Sequence, residues 1–308
     1  MLEVSCIIIN FNTSLLTVNA VKTLIETNLT TLNFELIVVD NASSDSDYIS
    51  LKNEINSLAD KRIKLIRSKT NLGFGGGNML GIKHSSDSTY FAFINSDTIH
   101  IEKNGLSMMK TFMDDNIDVG VCGPQMLDEK LKFCVSFDHF SSLPREIFKR
   151  TLLETFFPKR YKKRKKKYFH PLDVDYVQGA FLFVRSRDFI EIGAFDERIF
   201  LYYEESDVSM RFLKFKDLRT VFLPNIRYIH LKSRSMPKNM ALKIEQKLSL
   251  IYHTKKHYGA LQTYILKLYL VTRYSFTSIV KPKYFKLLII LLKGGGMEYS
   301  IRNKQGSL

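Results

Sequence analysis

The chain has 308 residues, of which 45% are hydrophobic, and it carries a formal net charge of +15. This length and apolar content suffice for one large α/β domain plus a smaller appendage, and they exclude a chain that is disordered over most of its length. The excess of positive charge predicts an anionic partner, such as a nucleic acid, an acidic membrane face or a phosphorylated substrate.

The first hundred residues alternate short β-branched runs with amphipathic stretches, which is the pattern of βαβ units around a parallel sheet. Strands are predicted at residues 4–9, 35–39, 63–66 and 90–94, and helices at 15–26, 47–58 and 78–84. Ligands of such sheets bind beyond the carboxyl ends of the strands, where this chain has Asn10, Asp40 and the run from Asn95 to Asp97. A nucleotide-binding topology is therefore expected.

Residues 133–171 lose this periodicity and include a block, 159–167, that is basic at every position but Tyr161. This segment is interpreted as a mobile insertion or an acceptor-side loop. Strands are predicted again at 174–177, 180–184 and 220–223, and helices at 187–192 and 204–214. From residue 241 onward the pattern is helical, and one face carries Leu261, Tyr264, Ile265 and Leu268.

The cysteines and the lack of targeting signals indicate the cellular compartment in which the protein is expected. Cys6, Cys122 and Cys134 form no C-x-x-C pair, so the sequence predicts neither a zinc site nor a redox motif but reduced thiols, as in a cytosolic protein. The N-terminus lacks the basic and apolar regions of a signal peptide. No apolar run reaches the roughly 18 residues of a spanning helix. We therefore expect a cytoplasmic protein.

A first candidate motif follows the second predicted strand, where Asp40 and Asn41 lead into Ala42-Ser43-Ser44-Asp45. A carboxylate that leaves a buried strand can accept hydrogen bonds from a pyrimidine or a ribose. The alternative interpretation is an Asx turn followed by a helix N-cap, without any ligand.

A second candidate is the glycine-rich segment 71–78, with the sequence Asn-Leu-Gly-Phe-Gly-Gly-Gly-Asn, which opens a predicted helix. Its glycines would let backbone N–H groups approach a diphosphate, and the start of the helix adds a favourable partial charge. The segment does not match a P-loop, and glycine-rich loops are common, so on its own it is weak support for a phosphate site.

Two further motifs carry acidic residues. Asn95 and Asp97 lie at a strand end with one residue between them, so their side chains can face the same cation, with Asp97 as the principal ligand. The alternative interpretation is that the two residues only form a turn.

Further along, Glu204, Glu205 and Asp207 place three acids within four residues at the start of a predicted helix. The helix dipole explains some of this acidity, but the concentration is also typical of a site with a general base.

Taken in order, these motifs resemble glycosyltransferase family 2, specifically its bacterial rhamnosyltransferase-like members, which have the GT-A fold. The resemblance extends over residues 5–235. It is most specific in 177–185 (Val-Gln-Gly-Ala-Phe-Leu-Phe-Val-Arg), in 193–197 (Gly-Ala-Phe-Asp-Glu), in the Glu-Glu-Ser-Asp helix and in Ile229-His230.

The resemblance implies roles for the candidate residues. Asp97 would be the metal-binding acid of the family's D-x-D motif, in which Asn95 replaces an Asp, and it would hold Mg²⁺ or Mn²⁺. His230 falls where some relatives place a further metal ligand or a phosphate contact, with a structural role as the alternative. The donor-binding residues would be Asn10, Asn12, Asp40, Asn41, Asn71, Gly73, Phe74, Gly75, Asn78, Asn95 and Ser96.

The resemblance also implies an inverting, single in-line displacement at the anomeric carbon of a nucleotide sugar. The acceptor base is usually the Asp of a Glu-Asp pair, and Glu205 occupies that position here, with Asp207 as the alternative. The favoured donor is dTDP-rhamnose, with a UDP-hexose as the alternative, and the acceptor is a glycan or a lipid-linked glycan of a bacterial surface polysaccharide.

Two alternative functions would require residues that this chain does not have. A sugar-phosphate nucleotidylyltransferase would have a glycine-rich basic loop after the first strand, where this chain has Asn10-Phe11-Asn12-Thr13. A non-enzymatic nucleic-acid binder would interleave aromatic residues with the basic block 159–167, which this chain does not do, so no nucleic acid is expected as a partner.

The expected organisation is a GT-A domain at 1–240, with a basic variable insertion at 133–171, and a helical extension at 241–308. Residues 246–297 hold nine Lys or Arg and no Asp or Glu. With its apolar face, this extension is predicted to lie on anionic lipid at the inner face of the cell membrane. The alternative is that Leu261, Ile265, Leu268 and the apolar run 287–292 pack against the catalytic domain or a partner subunit.

Overall fold

The computed structural model describes residues 2–28, 32–231 and 239–303. Residue 235, where the family resemblance ends, and residues 304–308 of the predicted extension lie outside the described residues. The strands are β1 (Leu2–Asn10), β2 (Phe34–Asp40), β3 (Ile63–Arg67), β4 (Ser88–Asn95), β5 (Thr98–His100), β6 (Val119–Leu127), β7 (Phe137–Asp138), β8 (Leu172–Val174), β9 (Tyr176–Val177), β10 (Phe181–Arg185) and β11 (Arg219–His230).

The α-helices are α1 (Ser14–Thr27), α2 (Asp45–Ser57), α3 (Gly73–His84), α4 (Gly105–Asp115), α5 (Leu143–Ile147), α6 (Arg150–Phe156), α7 (Ser186–Glu191), α8 (Glu204–Lys216), α9 (Met240–Val280) and α10 (Phe285–Leu292). Short 3-10 turns follow at Pro282–Tyr284 and Met297–Tyr299. None of the described helices combines the length and the apolar character that crossing a bilayer requires.

The main sheet has the strand order β3-β2-β1-β4-β10-β6-β11-β5, and β8 pairs with β11. Strands β1, β2, β3 and β4 run parallel, whereas β10 is antiparallel to both of its neighbours. Residues 6 and 8 of β1 point into one apolar core and residue 7 into the other, because alternate side chains of a strand face opposite sides of the sheet. The mostly parallel α/β sheet, flanked by helices, confirms the predicted fold class.

The strand register places the predicted site at one edge of the sheet. Asn10 is opposite Asp40 in the β1–β2 pair, and Ile9 is opposite Asn95 in the β1–β4 pair. The polar residues that end three neighbouring parallel strands therefore lie side by side, as the sequence predicts.

Helix α3 begins at Gly73, five residues before the predicted start. Glycine disfavours helices, which is why the sequence places the start later. The structure favours glycine for another reason, since α3 lies very close to the sheet. A Cβ atom added to Gly81 would come within 2.5 Å of the Ile7 side chain, and one added to Gly77 within 2.9 Å of Ile9.

The segment 133–171 contains β7, α5 and α6, so it is not irregular throughout. Its centre is Arg145, which is buried and donates hydrogen bonds to Asp138 (2.9 Å) and to the hydroxyl of Tyr176 (3.1 Å). Arg150 also pairs with Asp138, at 3.0 Å. Three elements missed by the sequence analysis, β5, α4 and β6, lie just before this segment.

Helix α9 is interrupted at Gly259, where φ is +83°. Ile244 and Tyr274 would be about 45 Å apart in a straight helix, yet both lie in the same apolar core. The second half of α9 therefore folds back on the first, and both halves share an apolar core with α10. Leu287, Leu288, Ile290 and Leu291 are buried in this core, whereas the predicted apolar face remains exposed at Leu261, Tyr264, Ile265 and Leu268.

Candidate active site

Asn10 organises the edge formed by the ends of β1 and β2. Its Nδ2 donates to Asp40 Oδ1 (2.9 Å), Ser43 Oγ (3.0 Å) and Asp47 Oδ2 (2.8 Å). The Asp40 side chain is fully buried and also pairs with Arg67 at 3.4 Å. Asp40 therefore fixes the turn after β2, and its contact with a nucleotide base stays a prediction.

Asn41 ties the glycine-rich segment to this turn. Its Nδ2 donates to Asn71 Oδ1 (3.0 Å) and to the Gly73 carbonyl (3.1 Å). Gly73 has φ +75°, and its N–H donates to Asn71 Oδ1, while the Phe74 N–H donates to the Phe200 carbonyl. These two N–H groups are already satisfied, so close packing explains the glycines without a phosphate. A role in lining the donor site remains a prediction for this segment, Gly75 included.

Three other predicted residues hold neighbouring loops together. Asn12 Oδ1 accepts from the Ser44 N–H (2.9 Å), and Ser96 Oγ lies 3.2 Å from Thr13 Oγ1. Asn78 is buried, and its Nδ2 donates to the Phe74 carbonyl (3.0 Å) within α3. The loops after β1, β2 and β4 are thus joined into one polar edge.

Asp97 and His230 lie side by side. Strand β5 pairs with β11 so that Thr98 is opposite His230, which brings His230 Nε2 to 3.0 Å from Asp97 Oδ1. Both predicted metal ligands are therefore adjacent, although they are 133 positions apart in the sequence. Asn95, whose N–H donates to the Ala180 carbonyl, ends the strand just before them.

This pair fits a divalent cation that is shared with a diphosphate. His230 Nδ1 is buried and has no hydrogen-bond partner within the described ranges, so it is a polar atom that a ligand would satisfy. In the part of the chain that the structure describes, no three His, Cys, Asp or Glu side chains gather around a metal-sized site. Mg²⁺ and Mn²⁺ are commonly bound by one or two protein ligands and by phosphate oxygens, so the donor would have to supply the remaining ligands.

Glu205 lies against the backbone of Gly179. A Cβ atom on Gly179 would be 3.5 Å from Glu205 Cδ, and the next residue, Ala180, accepts the hydrogen bond from Asn95. The half-buried carboxylate is thus connected to the Asp97 edge through two residues. Burial raises the pKa of Glu205 above its ordinary value, and the nearby charge of Asp138 adds to this shift. A raised pKa makes a carboxylate a stronger base near neutral pH.

Asp207 is in a different environment although it is only two positions away. It is fully buried and contacts Arg211 (2.7 Å), Lys256 (2.6 Å) and His257 (2.7 Å). Burial alone would raise the pKa of Asp207, but the hydrogen bond from His257 and the charges of Arg211 and Lys256 lower it well below its usual range. The contacts with Lys256 and His257 hold α8 against α9, and the contact with Arg211 lies within α8. This environment favours a structural role for Asp207, and its alternative role as the base stays a prediction.

Glu204, the third acid, is buried, and its pKa is raised well above the usual value by burial and by the charge of Glu205. The three acids thus differ in burial and in the direction in which their surroundings shift their pKa. The residues that create these differences could not be predicted from the sequence: Gly179, Arg145, Lys256 and His257. None of them lies in a recognisable pattern of spacing, and only Gly179 belongs to a motif of the family resemblance, residues 177–185.

Residues 5–189 match the family model described as Glycosyl transferase family 2. Among solved structures, GalNAc-T7 with UDP, GalNAc and Mn²⁺ superposes with a TM-score of 0.63 at 13% identity, covering 96% of this chain and 56% of that one. The present chain therefore spans little more than half the length of that protein. No curated protein sequence matches the chain.

Two other structures share the fold. The mannosyltransferase PcManGT from Pyrobaculum calidifontis, in complex with GDP-Man and Mn²⁺, gives a TM-score of 0.58 at 12% identity and covers 96% of this chain and 86% of that one. S. aureus TarS 1-349 gives 0.53 at 16% identity, with 90% and 73% covered. At these identities the structures establish the GT-A-like fold, and the family model covers more than half of the chain. The chain therefore belongs to glycosyltransferase family 2.

Proposed function

We propose that this glycosyltransferase transfers a sugar, with inversion, from a nucleoside diphosphate donor to a glycan or lipid-linked acceptor in bacterial surface polysaccharide synthesis. The observation that carries the proposal is the placement of Asp97 and His230 at the edge of the parallel sheet, with the half-buried carboxylate of Glu205 connected to that edge through Gly179 and Ala180.

The donor diphosphate would lie at the edge formed by Asn95, Ser96 and Asp97, beside the loops after β1 and β2. A Mg²⁺ or Mn²⁺ ion held there by Asp97 and His230 would offset the charge of the departing nucleoside diphosphate. Glu205 accepts the proton of the acceptor hydroxyl while its oxygen bonds to the anomeric carbon, and the bond from that carbon to the diphosphate oxygen breaks.

The preference for dTDP-rhamnose rests on the resemblance of residues 177–185 and 193–197 to rhamnosyltransferase-like sequences. A UDP-hexose is the alternative. The similar structures are complexes with UDP, GDP-Man and Mn²⁺, which supports a nucleotide donor with a divalent cation but does not favour one sugar over another.

Thermal shift with a panel of nucleotide sugars tests the proposal. We expect dTDP-rhamnose with Mn²⁺ to raise the melting temperature more than UDP-hexoses do, and to be hydrolysed slowly. Asp97→Ala should abolish the Mn²⁺-dependent part of the shift. Asp115→Ala is the matched control, because Asp115 is exposed and lies in α4, outside the site. If no nucleotide sugar stabilises the wild-type protein with Mn²⁺, the proposal is wrong.

We further propose that the helical extension, 241–308, attaches the enzyme to an anionic membrane surface. The second half of α9 exposes an apolar face: Leu261 is 72% exposed, and Leu268, Phe276 and Ile279 are also exposed. The absence of acidic residues from 246–297 and the nine basic ones suit anionic lipid headgroups. The predicted boundary at residue 240 separates this extension from the GT-A domain in sequence, although α9 also contacts α8.

Flotation with liposomes tests the attachment. We expect binding to vesicles of phosphatidylglycerol, weak binding to phosphatidylcholine, and release by high salt. Leu268→Asp should weaken binding, whereas Ile117→Asp, at an exposed apolar residue outside the extension, should not. Equal binding of wild-type protein to both kinds of vesicle would contradict an electrostatic attachment.

A further inference from the structure

Two adjacent tyrosines, Tyr202 and Tyr203, have a left-handed backbone conformation just before α8. Their φ angles are +74° and +73°. Among the described residues other than glycine, no other aromatic residue has a positive φ, and no other two neighbours share one. A bulky side chain at positive φ crowds its own backbone, so this turn is strained. Such outliers persist only where the surrounding structure holds them, and they concentrate at functional sites.

The chain just before the turn is anchored to the glycine-rich segment. The Phe200 carbonyl accepts a hydrogen bond from the Phe74 N–H (2.9 Å), and a Cβ atom added to Gly73 would overlap this carbonyl. The rings of Phe74 and Phe195 make an edge-to-face contact at 5.7 Å. Because Phe200 is also buried, the chain has little freedom to move at this point.

The turn itself is anchored to α9. Ser249, which is fully buried on α9, donates to the Leu201 carbonyl (2.7 Å). The Tyr203 side chain packs against the apolar core that α9 forms with α10. The Tyr203 carbonyl accepts from the Asp207 N–H (2.8 Å) and so begins the hydrogen bonds of α8. The strained turn is therefore held from both sides.

The turn sets where the Glu205 side chain begins, because Glu205 follows it by two residues. A Cβ atom on Gly179 would be 3.5 Å from Glu205 Cδ and 3.7 Å from each carboxylate oxygen, so the carboxylate lies directly over that glycine. If Tyr202 took a helical φ of about −63°, the backbone would rotate there by about 140° and displace Glu205. A misplacement of about 1 Å can lower a reaction rate about 10²-fold.

We propose that Tyr202 and Tyr203 are positioning residues for transfer. Their strained turn holds the Glu205 carboxylate at a fixed distance from the glycine-rich segment. This inference rests on the proposed function, since it takes Glu205 as the base and assigns the glycine-rich segment to the donor. It adds that one anchored stretch of chain, residues 200–205, connects the donor side of the site to the base.

The assay is Mn²⁺-dependent hydrolysis of dTDP-rhamnose, or of a UDP-hexose if that donor is the one that stabilises the wild-type protein. Water takes the place of the acceptor hydroxyl: Glu205 accepts its proton, its oxygen bonds to the anomeric carbon, and the bond from that carbon to the diphosphate oxygen breaks. The assay therefore reports the placement of Glu205 without an acceptor.

The first test replaces Tyr202 by residues that differ in backbone preference. Valine is β-branched and disfavours a positive φ, whereas asparagine is enriched there, and both remove the aromatic ring. The kcat of Tyr202→Val should be about tenfold or more below that of Tyr202→Asn, with the donor KM unchanged. Asp217→Val is the matched control, because Asp217 is exposed and has a φ of +53° at the other end of α8. This control should melt at a lower temperature but keep its kcat.

The pH dependence of the rate distinguishes positioning from a purely structural role. The rate of Tyr202→Val should begin to rise at a lower pH than that of wild-type, because a carboxylate that leaves its buried place loses the burial that raises its pKa. A lower melting temperature with an unchanged kcat and pH profile would overturn the proposal. Equal losses of kcat in Tyr202→Val and Tyr202→Asn would also overturn it, since the ring and not the backbone would then matter.

A second test perturbs the anchor and does not require Tyr202→Val to fold. Ser249→Ala removes the hydrogen bond to the Leu201 carbonyl, so the strained turn should relax and kcat should fall about threefold or more. Adding Tyr202→Asn lowers the strain and should restore kcat. Ser275→Ala is the control, because the Ser275 hydroxyl donates to the Val271 carbonyl (2.9 Å) within α9. If Ser249→Ala keeps the wild-type kcat, or the double variant is no faster than Ser249→Ala, the proposal is wrong.

The wild-type protein separates this inference from the proposed function. If wild-type hydrolyses the donor and Glu205→Gln does not, but the variants at 202 and 249 behave like wild-type, only the positioning role is disproved. If no nucleotide sugar stabilises the wild-type protein with Mn²⁺, or if Glu205→Gln hydrolyses the donor as fast as wild-type, the proposed function or its base is wrong, and the positioning role fails with it.

Discussion

Replacing Asp207 by Asn should destabilise the protein strongly, whereas replacing Glu205 by Gln should mainly stop catalysis. Asp207 is fully buried and makes short contacts with Arg211, Lys256 and His257. Removing one partner from a buried ion pair typically costs about 3–5 kcal/mol, because the remaining charges stay buried. At about 2 °C per kcal/mol for a chain of this size, the melting temperature should fall by about 6–10 °C.

The effect of Asp207→Asn should depend on pH. The pKa of Asp207 is held well below its usual range in the folded protein, while in the unfolded chain it is about 3.9. A group with a lowered folded pKa stabilises the protein above its unfolded pKa, and this contribution is lost as the pH falls. The difference in melting temperature between wild-type and Asp207→Asn should therefore be largest near pH 7 and decrease below about pH 4.

Glu205→Gln provides the comparison. Its transfer rate should fall by about 10² to 10⁴, as for loss of a general base, while donor binding is retained. Its melting temperature should not fall, because burial already raises the pKa of Glu205 and the amide removes a disfavoured charge. If Asp207→Asn melts within 1 °C of wild-type but is inactive, and Glu205→Gln remains active at saturating substrates, the roles assigned to the two residues are reversed.

Further predictions concern the base, the glycine-rich segment and the metal site. The transfer rate should rise with pH through the raised pKa of Glu205, and a rate profile of wild-type enzyme that is flat at every pH above the ordinary pKa of a glutamate would argue against this base. Gly73→Ala should lower the free energy of unfolding by more than about 1–3 kcal/mol, measured by urea denaturation, because the new Cβ would overlap the Phe200 carbonyl. Gly294→Ala is the control, because Gly294 also has a positive φ but has open space around it. His230→Ala should raise the Mn²⁺ concentration needed for half-maximal activity by about tenfold or more. If the variant instead melts at a lower temperature and its Mn²⁺ requirement is unchanged, His230 has a structural role.

The N-terminal half of the sheet could be predicted because its strands are β-branched runs buried on both faces. Strand β6 was missed because its sequence includes Gly120, Gly123 and Pro124, which are unfavourable in strands and are tolerated here by close packing. Local propensity likewise gave the wrong start for α3, where contact with the sheet outweighs the cost of glycine.

The site was predicted unevenly for a related reason. Asp97 and His230 were identified through family motifs, but their contact depends on the pairing of β5 with β11, which spacing along the chain does not reveal. The open choice between Glu205 and Asp207 could not be resolved from sequence, because it depends on burial and on Lys256 and His257, about fifty residues away. Accessibility and pairing of a carboxylate are properties of the tertiary structure.

The ion pairs between α8 and α9 also set an order of events during synthesis. A nascent chain can form β1 to β4 and the polar edge around Asn10 long before Lys256 and His257 leave the ribosome. Until Lys256 and His257 have been synthesised and have left the ribosome, Asp207 lacks two of its partners, and α8, which carries Glu205, is not held against α9. A ribosome-bound chain that ends before residue 256 should therefore bind a nucleotide without transferring sugar, so that transfer begins only when α9 has folded against α8.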